Sequence, residues 1–117
     1  EPPVHATVRF ASDDMSYAGK EYKRGTPFAV SIAGANRDPE ANTNPEEFNI
    51  FRDDIKHISF GYGPHMCIGA SLARIESRIA FEILFERFPK LELLDVNPQW
   101  GKNLIFRGFN DLKLKAS

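Results

Sequence analysis

Apolar residues recur at Ile68, Leu72, Ile75, Ile79 and Ile83, the three- and four-residue spacing that lines one face of a helix. The stretch from Ala70 to Ala80 is also rich in good helix formers. Together they predict a helix from about Ile68 to Arg87, stopped at Phe88-Pro89. A stripe of this kind is read as core. The other face carries Arg74, Arg78 and Arg87 among Glu76, Glu82 and Glu86, as on a solvated surface with i,i+4 pairing. Elsewhere the pattern changes to near alternation. Val4 to Ala11, rich in β-branched and aromatic residues, reads as a strand. Met15 to Tyr17 and Glu21 to Lys23 flank a glycine turn as a hairpin, and Phe28 to Ala33 is a short apolar strand. Gly34 to Ile55 is polar and broken by Pro39 and Pro45. It reads as loop with helical turns at Gly34 to Asp38 and Pro45 to Phe48. A loop this long inside a compact domain usually has a job. Beyond the long helix, Leu91 to Leu94 is a short strand, and Asn103 to Arg107 and Leu112 to Lys115 form a closing hairpin. Short hairpins with one long helix define an α+β class.

Composition narrows the function classes. At 117 residues the chain is one domain at most. Its 42% hydrophobic content and ten phenylalanines are those of a globular core. A net charge of -1 gives no advertisement for nucleic acid or an anionic membrane. Apolar runs fall far short of a bilayer span, and no basic-then-apolar leader opens the chain. A single cysteine allows no internal disulfide and suits a reducing cytoplasm.

That cysteine, Cys67, carries the chemistry. It lies in Phe60-Gly61-Tyr62-Gly63-Pro64-His65-Met66-Cys67-Ile68-Gly69, a glycine-punctuated loop running into the helix. At or just before the first turn, helical N–H groups and the positive dipole end favour a thiolate. Gly61 and Gly63 let the loop fold tightly, and Gly69 lets a large flat group approach the backbone. No second cysteine or nearby histidine pair completes a zinc set, so most of the coordination must come from elsewhere. Haem supplies four nitrogens and needs only one or two protein ligands. The plainer reading, a small buried thiol, leaves the glycines and His65 unexplained. His65 is itself of a ligand type, but two residues from Cys67 on a tight loop both cannot hold the same axial position.

Phe60-Gly61-x-Gly63-x-His65-x-Cys67-x-Gly69 resembles the haem-binding loop of the cytochrome P-450 haem-thiolate monooxygenases, and Leu72-Ala73-Arg74-x-Glu76 fits their soluble bacterial branch. Six specified positions at about 5% each give a chance match on the order of 10⁻⁸. The resemblance covers essentially the whole chain but corresponds to the last quarter to third of a complete member. The opening Glu1-Pro2-Pro3-Val4, without a methionine, agrees, because in the family a Pro-Pro-Val of this kind follows a helix bearing Glu-x-x-Arg. The expectation is a single haem-binding region over residues 1–117, a C-terminal fragment of the P-450 fold. It would hold short β-hairpins, a meander loop, the cysteine-ligand loop and one long helix after it.

The resemblance implies roles. Cys67 is the thiolate ligand to the iron of protoporphyrin IX, and N–H groups after it temper the sulfur's electron donation. His65 and Arg9 reach haem propionates; for Arg9 the rival is an ordinary solvated strand arginine. Phe60 lies against the sulfur and shields it from water, a role compatible with plain core packing. His5 and Thr7, with Ala6, border the distal pocket, and Ile105 and Phe106 are candidates for substrate contact or equally for core. Arg74 fits the face that meets an acidic electron carrier, or is simply solvated. Asn36 to Pro39 and Asn44 to Phe48 belong to the meander, where Arg52 takes the place of the arginine that pairs with the Glu-x-x-Arg helix. Without that helix, Arg52 is expected to be solvated or repaired by Asp53, Asp54 or another copy of the chain. The implied activity is hydroxylation of a small organic substrate with dioxygen and two electrons from a ferredoxin-type donor in the cytoplasm. The alternative is a non-catalytic module that holds haem weakly or not at all and acts in self-association or partner binding. A thiolate enzyme driven directly by peroxide is a third class.

Overall fold

The computed structural model describes residues 2–117 and divides them into two units. One runs to Ser59 and includes Asn103–Arg107; the other comprises Phe60–Lys102 and Gly108–Ser117.

In the first unit, β1 (Ala6–Phe10) pairs antiparallel with β4 (Pro27–Ser31), with Ala6 opposite Ser31 and Phe10 opposite Pro27. Between them, β2 (Met15–Tyr17) and β3 (Lys20–Tyr22) form the expected hairpin. Ala18 and Gly19 turn it with φ of 49° and 73°, the left-handed values that a tight reversal needs. Asp14 secures its base. One carboxylate oxygen accepts from Lys23 Nζ at 2.6 Å and the other from the Arg24 N–H at 2.9 Å. These contacts hold the Asp14 carboxyl below its ordinary range, with Lys23 the larger cause.

Two local readings shift. The strand expected to run to Ala33 ends at Ser31, whose hydroxyl caps α1 (Ile32–Asn36) by accepting the Gly34 N–H at 3.0 Å. A serine that captures the first free amide starts the helix there, two residues before the turn read at Gly34. Pro45 to Phe48 is not helical: Asn44 adopts φ 48°, and its carbonyl accepts the Glu47 N–H at 3.0 Å, closing a turn.

In the second unit, α2 (Ala70–Arg87) begins two residues later than its apolar stripe suggested, after Gly69. It ends, as expected, where Phe88 precedes Pro89. Phe81 and Phe85 stack along it with centroids 6.2 Å apart. The expected closing hairpin does not form. β6 (Leu114–Ala116) pairs instead with β5 (Leu91–Leu93), Leu93 facing Leu114. Residues 103–107 go to the first unit, where Phe106 bridges Val4. Asn103 explains this locally, since its side-chain oxygen accepts the N–H groups of both Ile105 and Phe106 at 2.9 Å and bends the segment.

The stripe on α2 is not core here. Ile68 is fully exposed, and Leu72, Ile75, Ile79 and Ile83 lie between 59% and 43% exposed, whereas Ala70 is buried at 2%. Among the described residues the buried apolar set is Ala11, Ile32 and Ala70. The chain exposes 10144 Å², against roughly 6,400 Å² for a compact monomer of this mass. The periodicity correctly marks a face that needs covering, but these residues do not supply the cover. No helix among the described residues is long and apolar enough to cross a membrane.

Candidate functional site

The cysteine loop is shaped by its own backbone. Gly61 and Gly63 adopt φ of 76° and 75°, values open to glycine at little cost. A Cβ on Gly61 would lie 3.6 Å from the His65 carbonyl oxygen, an ordinary contact, so the backbone angle rather than crowding demands glycine there. Gly63–His65 then forms a single 3₁₀ turn with Pro64 at its start, closed by Met66 N–H donating to Gly63 at 3.0 Å. The Cys67 N–H donates to the Phe60 carbonyl at 2.8 Å and ties the two ends of the loop together.

Beyond the cysteine, the Ala70 N–H donates to the Cys67 carbonyl at 3.2 Å and leads the chain into α2. Gly69 is the residue before the helix and has no side chain with which to cap it. The Cys67 side chain is exposed. A Cβ on Gly69 would lie 3.8 Å from the Cys67 sulfur, so glycine leaves that flank of the sulfur bare. An exposed sulfur donor with only a glycine on its helix side fits an iron porphyrin that needs one soft axial ligand. His65 is exposed two residues away. Phe60 is half-buried, with the Arg74 guanidinium over its ring at 4.7 Å from the centroid.

The remaining candidates gather in the first unit. The His5 N–H donates to the Ile105 carbonyl at 2.8 Å, while the His5 carbonyl accepts from Ile32 and Ala33 at 2.9 and 3.1 Å. With Phe106 bridged to Val4, His5, Ile105 and Phe106 come together from opposite ends of the sequence. Thr7 and Arg9 share a face of β1, and the Arg9 guanidinium folds back onto the Thr7 hydroxyl and the Val8 carbonyl, each at 3.0 Å. Arg9 also borders an open, mainly apolar groove of about 530 Å³ with Met15, Tyr17 and Phe28.

The expectation for Arg52 is corrected. Neither Asp53 nor Asp54 repairs it; its guanidinium donates to the carbonyls of Thr43, Asn44 (2.9 Å) and Glu47 (3.0 Å). Main-chain oxygens satisfy the fork of donors because the meander wraps around it. Arg37 pairs with Glu46 across the same segment. The sequence placed Asn36 in the meander without a role for its side chain, whose oxygen accepts the Ile58 N–H at 2.8 Å while its nitrogen donates to Ser59 Oγ at 3.0 Å. That amide pins the residues immediately ahead of the cysteine loop. No periodicity announces a clamp of this kind; the only available signal was an amide lying in the long loop's Asn-Arg-Asp-Pro turn.

Comparison with known proteins agrees with this geometry. The family model described as Cytochrome P450 matches residues 1–106. The chain is 46% identical over 119 residues to the polyketide biosynthesis cytochrome P450 PksS of Bacillus subtilis, covering 99% of this chain and 29% of that protein. It is 42% identical to the cytochrome P450 monooxygenase PikC of Streptomyces venezuelae, over 98% of this chain and 28% of that one. Among solved structures, P450BioI in complex with an acyl carrier protein ligated to hexadec-9Z-enoic acid superposes with TM-score 0.92 at 38% identity. That match covers 100% of this chain and 30% of P450BioI. The chain belongs to the cytochrome P450 family, and it spans about three tenths of the length of the relatives it matches.

Proposed function

We propose that this chain is the haem-ligand region of a haem-thiolate monooxygenase, with Cys67 as the single protein ligand to iron. The observation that carries the reading is the exposed Cys67 sulfur on a loop closed by the Cys67–Phe60 main-chain bond. When bound, haem supplies the activation of dioxygen that hydroxylates an organic substrate. The chain's own residues do the rest. The two left-handed glycines hold the sulfur outward, so little reorganisation accompanies ligation. Phe60 covers one side of the loop and limits water at the sulfur. His65 and Arg9 would hold the haem propionates, the planar Arg9 guanidinium being suited to a carboxylate. His5, Thr7, Ile105 and Phe106 border the substrate. Arg74 lies on the face presented to a ferredoxin-type donor.

The relatives support a small organic substrate and a cytoplasmic setting. The carrier-protein complex of P450BioI supports an acyl chain presented on a carrier as one form of that substrate. The test is the ferrous–CO spectrum of the haem-loaded protein. A strongly red-shifted, thiolate-type band that disappears in Cys67→Ala is expected. A band unchanged by the substitution refutes the assignment.

The uncovered stripe on α2 favours a second reading, a module whose exposed apolar face acts in self-association without holding haem. Sedimentation together with hemin titration separates the two. Stoichiometric thiolate-type binding rejects the module, and concentration-dependent association without hemin uptake rejects the enzyme.

A further inference from the structure

We propose that Asn103 is a positioning residue for substrate selectivity, acting by holding Ile105 and Phe106 in place, an inference that rests on the substrate role given to those two residues above. Residues 103–107 belong to the first unit and run against the start of the chain. The His5 N–H donates to the Ile105 carbonyl at 2.8 Å, the Arg107 N–H donates to the Pro3 carbonyl at 2.7 Å, and Phe106 bridges Val4 between them. Residues opposite one another at a hydrogen-bonded antiparallel position ordinarily exchange two bonds. Here the second is replaced. The His5 carbonyl accepts instead from Ile32 and Ala33 at 2.9 and 3.1 Å, and the Ile105 N–H turns to the Asn103 side-chain oxygen at 2.9 Å. The same oxygen accepts the Phe106 N–H at 2.9 Å. One carboxamide therefore stands where a strand partner would.

Main-chain bonds to Pro3 and His5 take any residue alike, and Leu104, Ile105 and Phe106 are three consecutive exposed apolar side chains. Neither feature decides which of the three is presented. Register is weakly specified where no buried face distinguishes the alternatives, and a slip of one residue turns every side chain to the other face. Sliding Ile105 opposite Val4 would require the Phe106 N–H to donate to Pro3, breaking its bond to Asn103. The carboxamide thus opposes that slip and holds Ile105 at His5 and Phe106 at Val4. Asparagine suits the task because its short side chain reaches amides two and three residues ahead. Aspartate keeps the accepting oxygen at the same reach, whereas glutamine places it one methylene further out.

The test uses the haem-loaded protein with Asn103→Ala, Asn103→Gln and Asn103→Asp, and straight-chain saturated fatty acids of increasing length as probes. Amide hydrogen exchange at Ile105 and Phe106 is read by NMR, and KM and kcat for hydroxylation are read separately for each probe. Urea unfolding midpoints are measured alongside. Asn103→Ala is expected to speed exchange at both amides about five-fold, the size of one ordinary hydrogen bond. It should also flatten the preference among chain lengths about ten-fold, the low end of what one methylene changes in an apolar pocket. That change should fall on KM, with kcat and the midpoint nearly unchanged. Asn103→Gln should behave like Ala, and Asn103→Asp should restore both slow exchange and the length preference. Unchanged exchange in Asn103→Ala, an unchanged length preference, or losses that are equal for every probe or merely follow the midpoint overturn the proposal. A wild-type protein that hydroxylates none of the probes, or lacks the thiolate-type ferrous–CO band, overturns the functional reading and this proposal with it. Hydroxylation with a length preference that Asn103→Ala leaves intact overturns this proposal alone.

Discussion

The meander and the cysteine loop are both irregular segments, and they are held by opposite means. Side chains hold the meander: Arg52 gathers three main-chain carbonyls, Arg37 pairs with Glu46, and Asn36 clamps Ile58 and Ser59. Main-chain geometry closes the cysteine loop, through two left-handed glycines and the Cys67–Phe60 bond. The difference teaches where each segment is vulnerable. Substituting a long polar side chain should loosen the meander, while the cysteine loop should tolerate side-chain changes but not a new Cβ at a left-handed position.

The largest expected effect tests the meander side. Arg52→Ala leaves carbonyls without their charged donor, and bonds to charged groups contribute about 1.5–3 kcal/mol each. Because Arg52 is only half-buried, a total loss near about 2–3 kcal/mol in urea unfolding is expected. Arg52→Lys should recover only part of it, since one ammonium cannot match the fork. Loss below a few tenths would show that the meander does not depend on this hub.

Next comes the loop. Gly61→Ala forces a Cβ into φ 76° and should cost about 1–2 kcal/mol. Gly69→Ala, at φ -84°, should leave unfolding unchanged and instead weaken haem uptake, because its methyl would sit beside the sulfur. Equal stability losses at both glycines would break the comparison. Asn36→Ala follows at about 1 kcal/mol for its two part-buried hydrogen bonds, with Asn36→Asp recovering only the acceptor.

The smallest effect is a pH dependence at the β2–β3 hairpin. The Asp14 carboxyl is lowered by Lys23 and the Arg24 N–H. A depressed carboxyl contributes stability that is complete above its unfolded pKa and is lost as pH falls through its folded pKa. Wild type should therefore lose slightly more stability than Asp14→Asn on acidification below about pH 4, measured as the difference between their unfolding midpoints. Parallel midpoints across that range would remove Asp14 from the account.

Much of this was legible in the chain. The β2–β3 hairpin was readable because its turn chemistry is local. The cysteine loop was readable because glycine spacing dictates backbone angles within a few residues. Helix α2 was readable from its period and its proline stop. What failed was long-range. The closing hairpin was misread because Leu114–Ala116 finds its partner in Leu91–Leu93, and alternation identifies a strand without identifying its mate. Arg52 was misread because acids beside it in sequence looked like partners, while the true acceptors are carbonyls that carry no side-chain signature. The Arg74–Phe60 contact needed the loop's actual path before the two residues could be placed together.

By itself the sequence determined the short-range quantities: that one long helix follows the cysteine loop and stops before Pro89, where that loop needs glycine, and that one sulfur would stand at the head of α2. Those follow from torsional sterics and from hydrogen bonds spanning a few residues. Only the tertiary structure decided which strand meets which, how the meander's arginine is satisfied, and that the apolar stripe of α2 stands uncovered. Those depend on which surfaces meet across long stretches of chain, and burial is non-directional, so a hydrophobic pattern specifies that a face must be covered without naming what covers it.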